Sequence, residues 1–171
     1  MTSILKVDTI QGANGSDIPY IKNHVVQVKN FTQGAVDSTA TAMISDDTIP
    51  QNTEGKEFLT LAITPTNVNS KLLIQVVVNG ANSVASTLSA ALFQDSTSNA
   101  LAATCQYESQ YTGANILTFN HYMIAGTTSE TTFKVRAGGG SGTFTLNGHS
   151  GTSRRFGGVY SSSITIMEIG G

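Results

Sequence analysis

Apolar residues along this chain recur with a period of two, in short runs separated by turn residues. In TTFKVRA, residues 131–137, Phe133, Val135 and Ala137 face one way while Lys134 and Arg136 face the other. That alternation is the mark of a half-exposed strand. Phe144 and Leu146 repeat it in TFTLNG, residues 143–148. Similar runs at 22–31, 41–45, 57–63, 71–80, 87–95, 100–107, 115–125 and 162–169 predict further strands. Clusters such as SDDTIPQNTEGK, TPTN, DSTSN and AGGGSG separate them, and the three prolines fall in loops. STLSAAL has helical propensity, but its spacing between turns suits a strand. Many short strands at this spacing predict an all-β sandwich or jelly roll. The head domain is expected over residues 22–171. Residues 1–21, where GANGSD interrupts short apolar groups, read as an extended N-terminal arm.

Three strands break the simple alternation. In KLLIQVVVNG, residues 71–80, Leu72, Ile74, Val76 and Val78 form one face, but Leu73 and Val77 stand opposite. In SSITIMEI, Ile164 and Ile166 face one way, Met167 and Ile169 the other. NILTFNHYMIA sets Ile116, Tyr122 and Ile124 against Leu117, Phe119, His121 and Met123. One antiparallel sandwich hides a single face of each sheet, so a second apolar face predicts a subunit interface. The expected interface residues are Leu73, Val77, Leu117, Phe119, His121, Met123, Met167 and Ile169.

The segment ISDDTIPQNTEGKEFLTLAITPTNVNSKLLIQVVV, followed by AALFQD, FKVRAG and SSITIMEIG, resembles the C-terminal domain of many tailed-phage fibre and virion structural proteins of marine-phage type. The opening ILKVDTIQ resembles the start of short marine-phage structural proteins. The resemblance covers most of the chain in order. It implies a jelly-roll head similar to the tumour-necrosis-factor and C1q folds, packed as a homotrimer with one sheet of each subunit facing the threefold axis. The implied role is a non-enzymatic virion protein, a tail-fibre tip or receptor-binding head, joined to other virion proteins through residues 1–21. A capsid decoration protein and a soluble C1q-like or lectin-like glycan-binding module are the alternatives. No binding residue follows from the resemblance itself.

Composition narrows the partners. Charged residues are 12% of the chain, about half the usual ~25%, and the net charge is −2. A nucleic-acid partner is not expected, because phosphate binding needs a concentrated basic face and Arg154–Arg155 is the nearest approach to one. No apolar run reaches the ~20 residues that span a bilayer, and no signal peptide is evident. The expected setting is a virion protein made in the host cytoplasm. Glycan contact is expected from loop or near-loop residues Tyr107, Tyr111, His149, Arg154, Arg155 and Tyr160, because aromatic rings and guanidinium groups suit sugar faces and hydroxyls.

Catalytic chemistry is not expected. Most of the eleven acidic residues sit in turns, where Asp46, Asp47 and Glu54 read as turn caps. The three histidines, His24, His121 and His149, lie in separate segments without metal-ligand spacing, so neither a metal nor another cofactor is predicted for the single chain. His121 repeated around a threefold axis is the one arrangement that would supply three ligands. Cys105, the lone cysteine, reads as a small buried hydrophobe. Glu168 shares a strand face with Ile164 and Ile166, and so calls for a cation from Lys134, Arg136, Arg154 or Arg155.

Overall fold

The computed structural model describes residues 24–109, 113–149 and 153–170. The arm expected at 1–21 and the candidate Tyr111 lie outside the described residues. Twelve strands follow in chain order among the described residues: β1 (Val25–Gln33), β2 (Asp37–Thr39), β3 (Lys56–Ile63), β4 (Lys71–Asn82), β5 (Ser86–Gln94), β6 (Ala102–Glu108), β7 (Asn115–Ile124), β8 (Thr131–Gly139), β9 (Phe144–Leu146), β10 (Gly148–His149), β11 (Ser153–Arg154) and β12 (Ser162–Ile169). A single 3-10 turn, Phe156–Gly158, precedes β12. The expected strand at 41–45 does not form. Its neighbour Asp37–Thr39 pairs with β9 instead.

Two antiparallel sheets make the sandwich. The first runs β1-β12-β4-β7, with β9 beside the far end of β4 and β2 beyond it. The second runs β3-β8-β5-β6. The core between them is built by alternation. Leu72, Ile74, Val76 and Val78 from β4, with Ile164 and Ile166 from β12, meet Leu88, Leu92, Phe133 and Val135 from the second sheet. Each such side chain contributes about 1.5–3 kcal/mol by leaving water. Where β4 passes β9, a side chain at Gly80 would strike the Phe144 ring, so this crossing of strand and ring requires glycine.

A second layer forms around Met43, whose segment passes so close to Gly138 that a side chain there would strike the Thr41 carbonyl. β5 is apolar on both faces: Leu88, Ala90 and Leu92 enter the main core, while Ala91 and Phe93 point outward. Segment 41–50 runs over that outer face, seating Met43 against Ala91 and Phe93 and donating the Met43 N–H to the Gly139 carbonyl at 3.0 Å. This is why 41–45 has strand-like residues without being a strand. Its apolar side chain fills a lid over the sheet. The strands that flank the connection carrying the lid are joined by Lys56 Nζ of β3, which pairs with Asp37 Oδ1 of β2 at 2.6 Å.

Candidate functional site

Residues directly paired in an antiparallel sheet share a face, so the registers fix what the first sheet shows to the outside. Val28, Met167, Leu73 and Tyr122 form one continuous row across β1, β12, β4 and β7. Beside it, Val25, Ile169, Lys71 and Ile124 form a second row. Val28, Tyr122 and Ile124 are 55, 58 and 54% exposed, and Leu73, Met167 and Ile169 are half-buried. The next row, Asn30, Thr165, Gln75 and Asn120, is wholly polar. Beyond it come Thr32, Ser163, Val77 and Thr118. The apolar area is therefore concentrated at the end of the sheet where β1 begins and β12 ends.

The same registers correct half of the expected interface. Leu117, Phe119, His121 and Met123 are paired with Val78, Val76, Ile74 and Leu72, and so point into the sandwich. Leu117 is buried in the main core, and Phe119 and Met123 pack against that core. Assigning one face of β7 from sequence was ambiguous because both faces are apolar; only its pairing with β4 resolves them. The outward set is Ile116, Tyr122 and Ile124. His121 is half-buried on the inner face, where desolvation lowers its pKa. That orientation removes it from any axis lined by the outer face. Among the described residues no group of three His, Cys, Asp or Glu side chains is placed to hold a metal.

A second cluster gathers at the opposite end of the first sheet, where β9, β10, β11 and the 3-10 turn lead into β12. The β10–β11 pairing sets His149 opposite Ser153 and Gly148 opposite Arg154. The Arg154 guanidinium lies where a side chain on Gly158 would project. Tyr160 donates its hydroxyl to the Asn115 carbonyl at 3.3 Å, and desolvation raises its pKa against the opposing charge of Arg155. Phe156, which the sequence reading missed, meets Tyr160 edge-on with ring centroids 6.3 Å apart. So His149, Arg154, Arg155 and Tyr160 share one region. Tyr107 does not join them: it stands on β6, opposite Thr87, on the outer face of the second sheet.

Glu168 is fully buried, where its strand face suggested a half-buried carboxylate, and it has no cation partner among the described residues. Its Oε1 accepts from the Thr66 N–H at 2.8 Å and the Thr66 hydroxyl at 2.6 Å; its Oε2 accepts from Gln27 Nε2 at 2.7 Å. Desolvation, the largest single influence, pushes its pKa up, yet the hydrogen bonds from Thr66 and Gln27 hold it below the ordinary value. The basic residues expected here are engaged elsewhere or distant: Arg136 donates to the Glu54 and Gly55 carbonyls, and Lys134 faces Glu57 at 3.8 Å. Neutral donors from the 64–70 turn replaced the ion pair, a local turn contact that strand alternation does not encode. Asp46 and Glu54 cap turns as expected, accepting from Thr48 and from the Gln51 N–H. Cys105 is exposed rather than buried, because it lies on the outer face of edge strand β6, opposite Ser89. Its sulfur sits 3.3 Å from the Ser45 hydroxyl.

These features define a jelly roll of the tumour-necrosis-factor type. Eiger TNF from S. frugiperda superposes with a TM-score of 0.53 at 12% identity, covering 85% of this chain and 93% of that one. The sugar-binding EclA C-terminal domain has a TM-score of 0.36 at 13% identity, over 81% of this chain and 86% of its own. VP2 of infectious bursal disease virus has a TM-score of 0.35 at 11% identity, over 97% of this chain and 42% of its own. The chain belongs to the family of the Pgp3 C-terminal domain, which it matches over residues 28–171. No curated protein matches it.

Proposed function

We propose that this chain is a non-enzymatic, homotrimeric binding head: the fibre tip or receptor-engaging component of a phage virion, contacting a host surface glycan. One observation carries the assembly: the two rows on the outer face of the first sheet, apolar except for Lys71, which no part of the described chain covers. A face of that composition at a strand-paired surface is what obligate subunit interfaces present. The threefold arrangement and the virion setting are supported by the resemblance of residues 44–78 and 162–170 to phage fibre heads. Three identical heads multiply weak individual contacts by avidity, so the function needs no bond-making chemistry.

Light scattering on the purified chain tests the assembly. Three chains of 17.9 kDa give a particle of about 54 kDa. A stable monomer of 17.9 kDa overturns the interface reading. Adsorption to host cells tests the receptor role: a trimer that neither binds cells nor blocks infection removes it.

A further inference from the structure

We propose that the 3-10 turn before β12 is a binding site for acidic sugar units, with Phe156 as the platform and Arg154 and Arg155 as the charge partners. This deepens the binding-head reading and rests on it.

Phe156 is unusual in two independent ways. It is 76% exposed, and it adopts φ = 45°, in the left-handed region that L side chains rarely enter. Gly157 and Gly158 follow with φ of 62° and 102°, so three successive residues turn the chain left-handed. The glycines accept this conformation freely; the phenylalanine does not. Its ring contributes little to any core, so burial does not explain the strain. Strained residues of this kind concentrate where a ligand is gripped.

The surroundings supply a fixed base and a charge. Tyr160 is anchored through its hydroxyl to Asn115 and holds the Phe156 ring edge-on. The Gly158 carbonyl lies so near Gly34 that a side chain there would collide with it, so the turn is pressed onto the segment after β1. Arg154 rests on Gly158, and Arg155 lies close enough to Tyr160 for its charge to act on the phenol. Among the described residues, neither guanidinium has an acidic side chain in salt-bridge range. In a chain of net charge −2 with few charged residues, two adjacent arginines without an acidic partner among the described residues, next to an exposed ring, form a distinct local chemistry.

A sugar acid matches both halves. One C–H face of the pyranose packs on the exposed ring, while the carboxylate takes guanidinium N–H groups, which suit its planar, two-oxygen geometry. A neutral sugar would use the ring and leave the arginines solvated.

The test is calorimetric titration of the full chain with oligogalacturonate and with sialyllactose, each against its neutral counterpart, methyl-esterified oligomer and lactose. The expected result is binding of at least one acidic sugar in preference to its neutral counterpart. Arg155→Gln and Phe156→Ala should each weaken that binding by about tenfold, the scale of one charge-assisted hydrogen bond or one stacked ring, with native mass unchanged. Equal binding of acidic and neutral forms, or no binding of either acidic sugar, overturns the proposal. So does a fall in native mass for Phe156→Ala, which would place the turn in a subunit contact. Host-cell adsorption by wild type that both variants retain would also overturn it, while leaving the binding-head reading intact.

Discussion

Two sheets of this molecule each carry a strand that is apolar on both faces, and the chain treats them differently. On the second sheet, Ala91 and Phe93 of β5 point away from the main core, and segment 41–50 folds across them with Met43 as its buried contact. On the first sheet, Leu73 of β4 and Met167 of β12 also point away, and nothing in the described chain lies over them. Both strands carry apolar residues on their outer faces, so the strand's own sequence does not reveal how each face is satisfied. The difference lies in connectivity. The β2–β3 connection is long enough to return over its own sheet, whereas the short Thr64–Ser70 turn between β3 and β4 is occupied in holding Glu168. An apolar face that the described residues leave open is the surface on which the proposed assembly rests.

The strongest way to break this comparison is Leu73→Lys. Leu73 sits in the middle of the Val28–Met167–Leu73–Tyr122 row, with Lys71 two positions along the same strand face, so an ammonium there would be buried beside a like charge in any assembly that uses the row. Breaking complementarity with one uncompensated buried charge costs about 3–5 kcal/mol per site, and a symmetric particle repeats it in every subunit. The 54 kDa species should give way to one of 17.9 kDa. Light scattering reads the mass, and far-ultraviolet circular dichroism reads whether the sandwich persists. A variant that keeps the full mass would show that this face is not the interface.

Met43→Ala probes the covered face. It empties the contact between the lid segment and Phe93, and truncation of a buried methionine costs about 2–5 kcal/mol. Urea denaturation should record that loss, with native mass unaltered. A fall in mass on this substitution would mean that the lid, and not the first sheet, organises the assembly.

How much of this was legible in the sequence depends on the range of the contacts. Strands such as β8 and β9 were readable because Phe133, Val135, Phe144 and Leu146 alternate with polar residues, and alternation is local. The outward position of Leu73, Val77, Met167 and Ile169 followed from the same rule. β7 was misread because both of its faces are apolar, so its orientation depends on which residues pair with β4 some forty positions earlier. The lid was misread as a strand because Met43 is apolar in an extended segment; only the tertiary position of Phe93 explains it. At the candidate sugar site, Arg154, Arg155 and Tyr160 were singled out by residue type. Phe156 was passed over, although FGG is a signal in itself: an aromatic residue followed by two glycines marks a sharp turn that can leave a ring exposed.

The smallest effect expected concerns what lies beneath the open face. Glu168 is on the inner side of β12 next to Met167, and it ties Gln27 of β1 and Thr66 of the turn to the end of the sheet that carries the apolar rows. Its folded-state pKa is lowered from 4.5, so the carboxylate binds its proton less readily in the folded chain than in the unfolded one. The stabilisation is therefore fully present above the ordinary value and is lost as pH falls through the lowered folded-state value. Below that, a protonated carboxyl faces donors on three sides. Glu168→Gln mimics this state at every pH, placing an amide N–H₂ against either the Gln27 or the Thr66 donors. The loss should be about 1–3 kcal/mol at neutral pH, the range for a buried polar group left unsatisfied. Urea midpoints measured from pH 7 to pH 3 should decline on acidification in wild type, and this component of the slope should be missing from the variant. If light scattering over the same range shows the wild-type particle dissociating as Glu168 is protonated, the open apolar face depends on the carboxylate behind it. If the particle persists while the midpoint falls, strand pairing alone holds the rows in register.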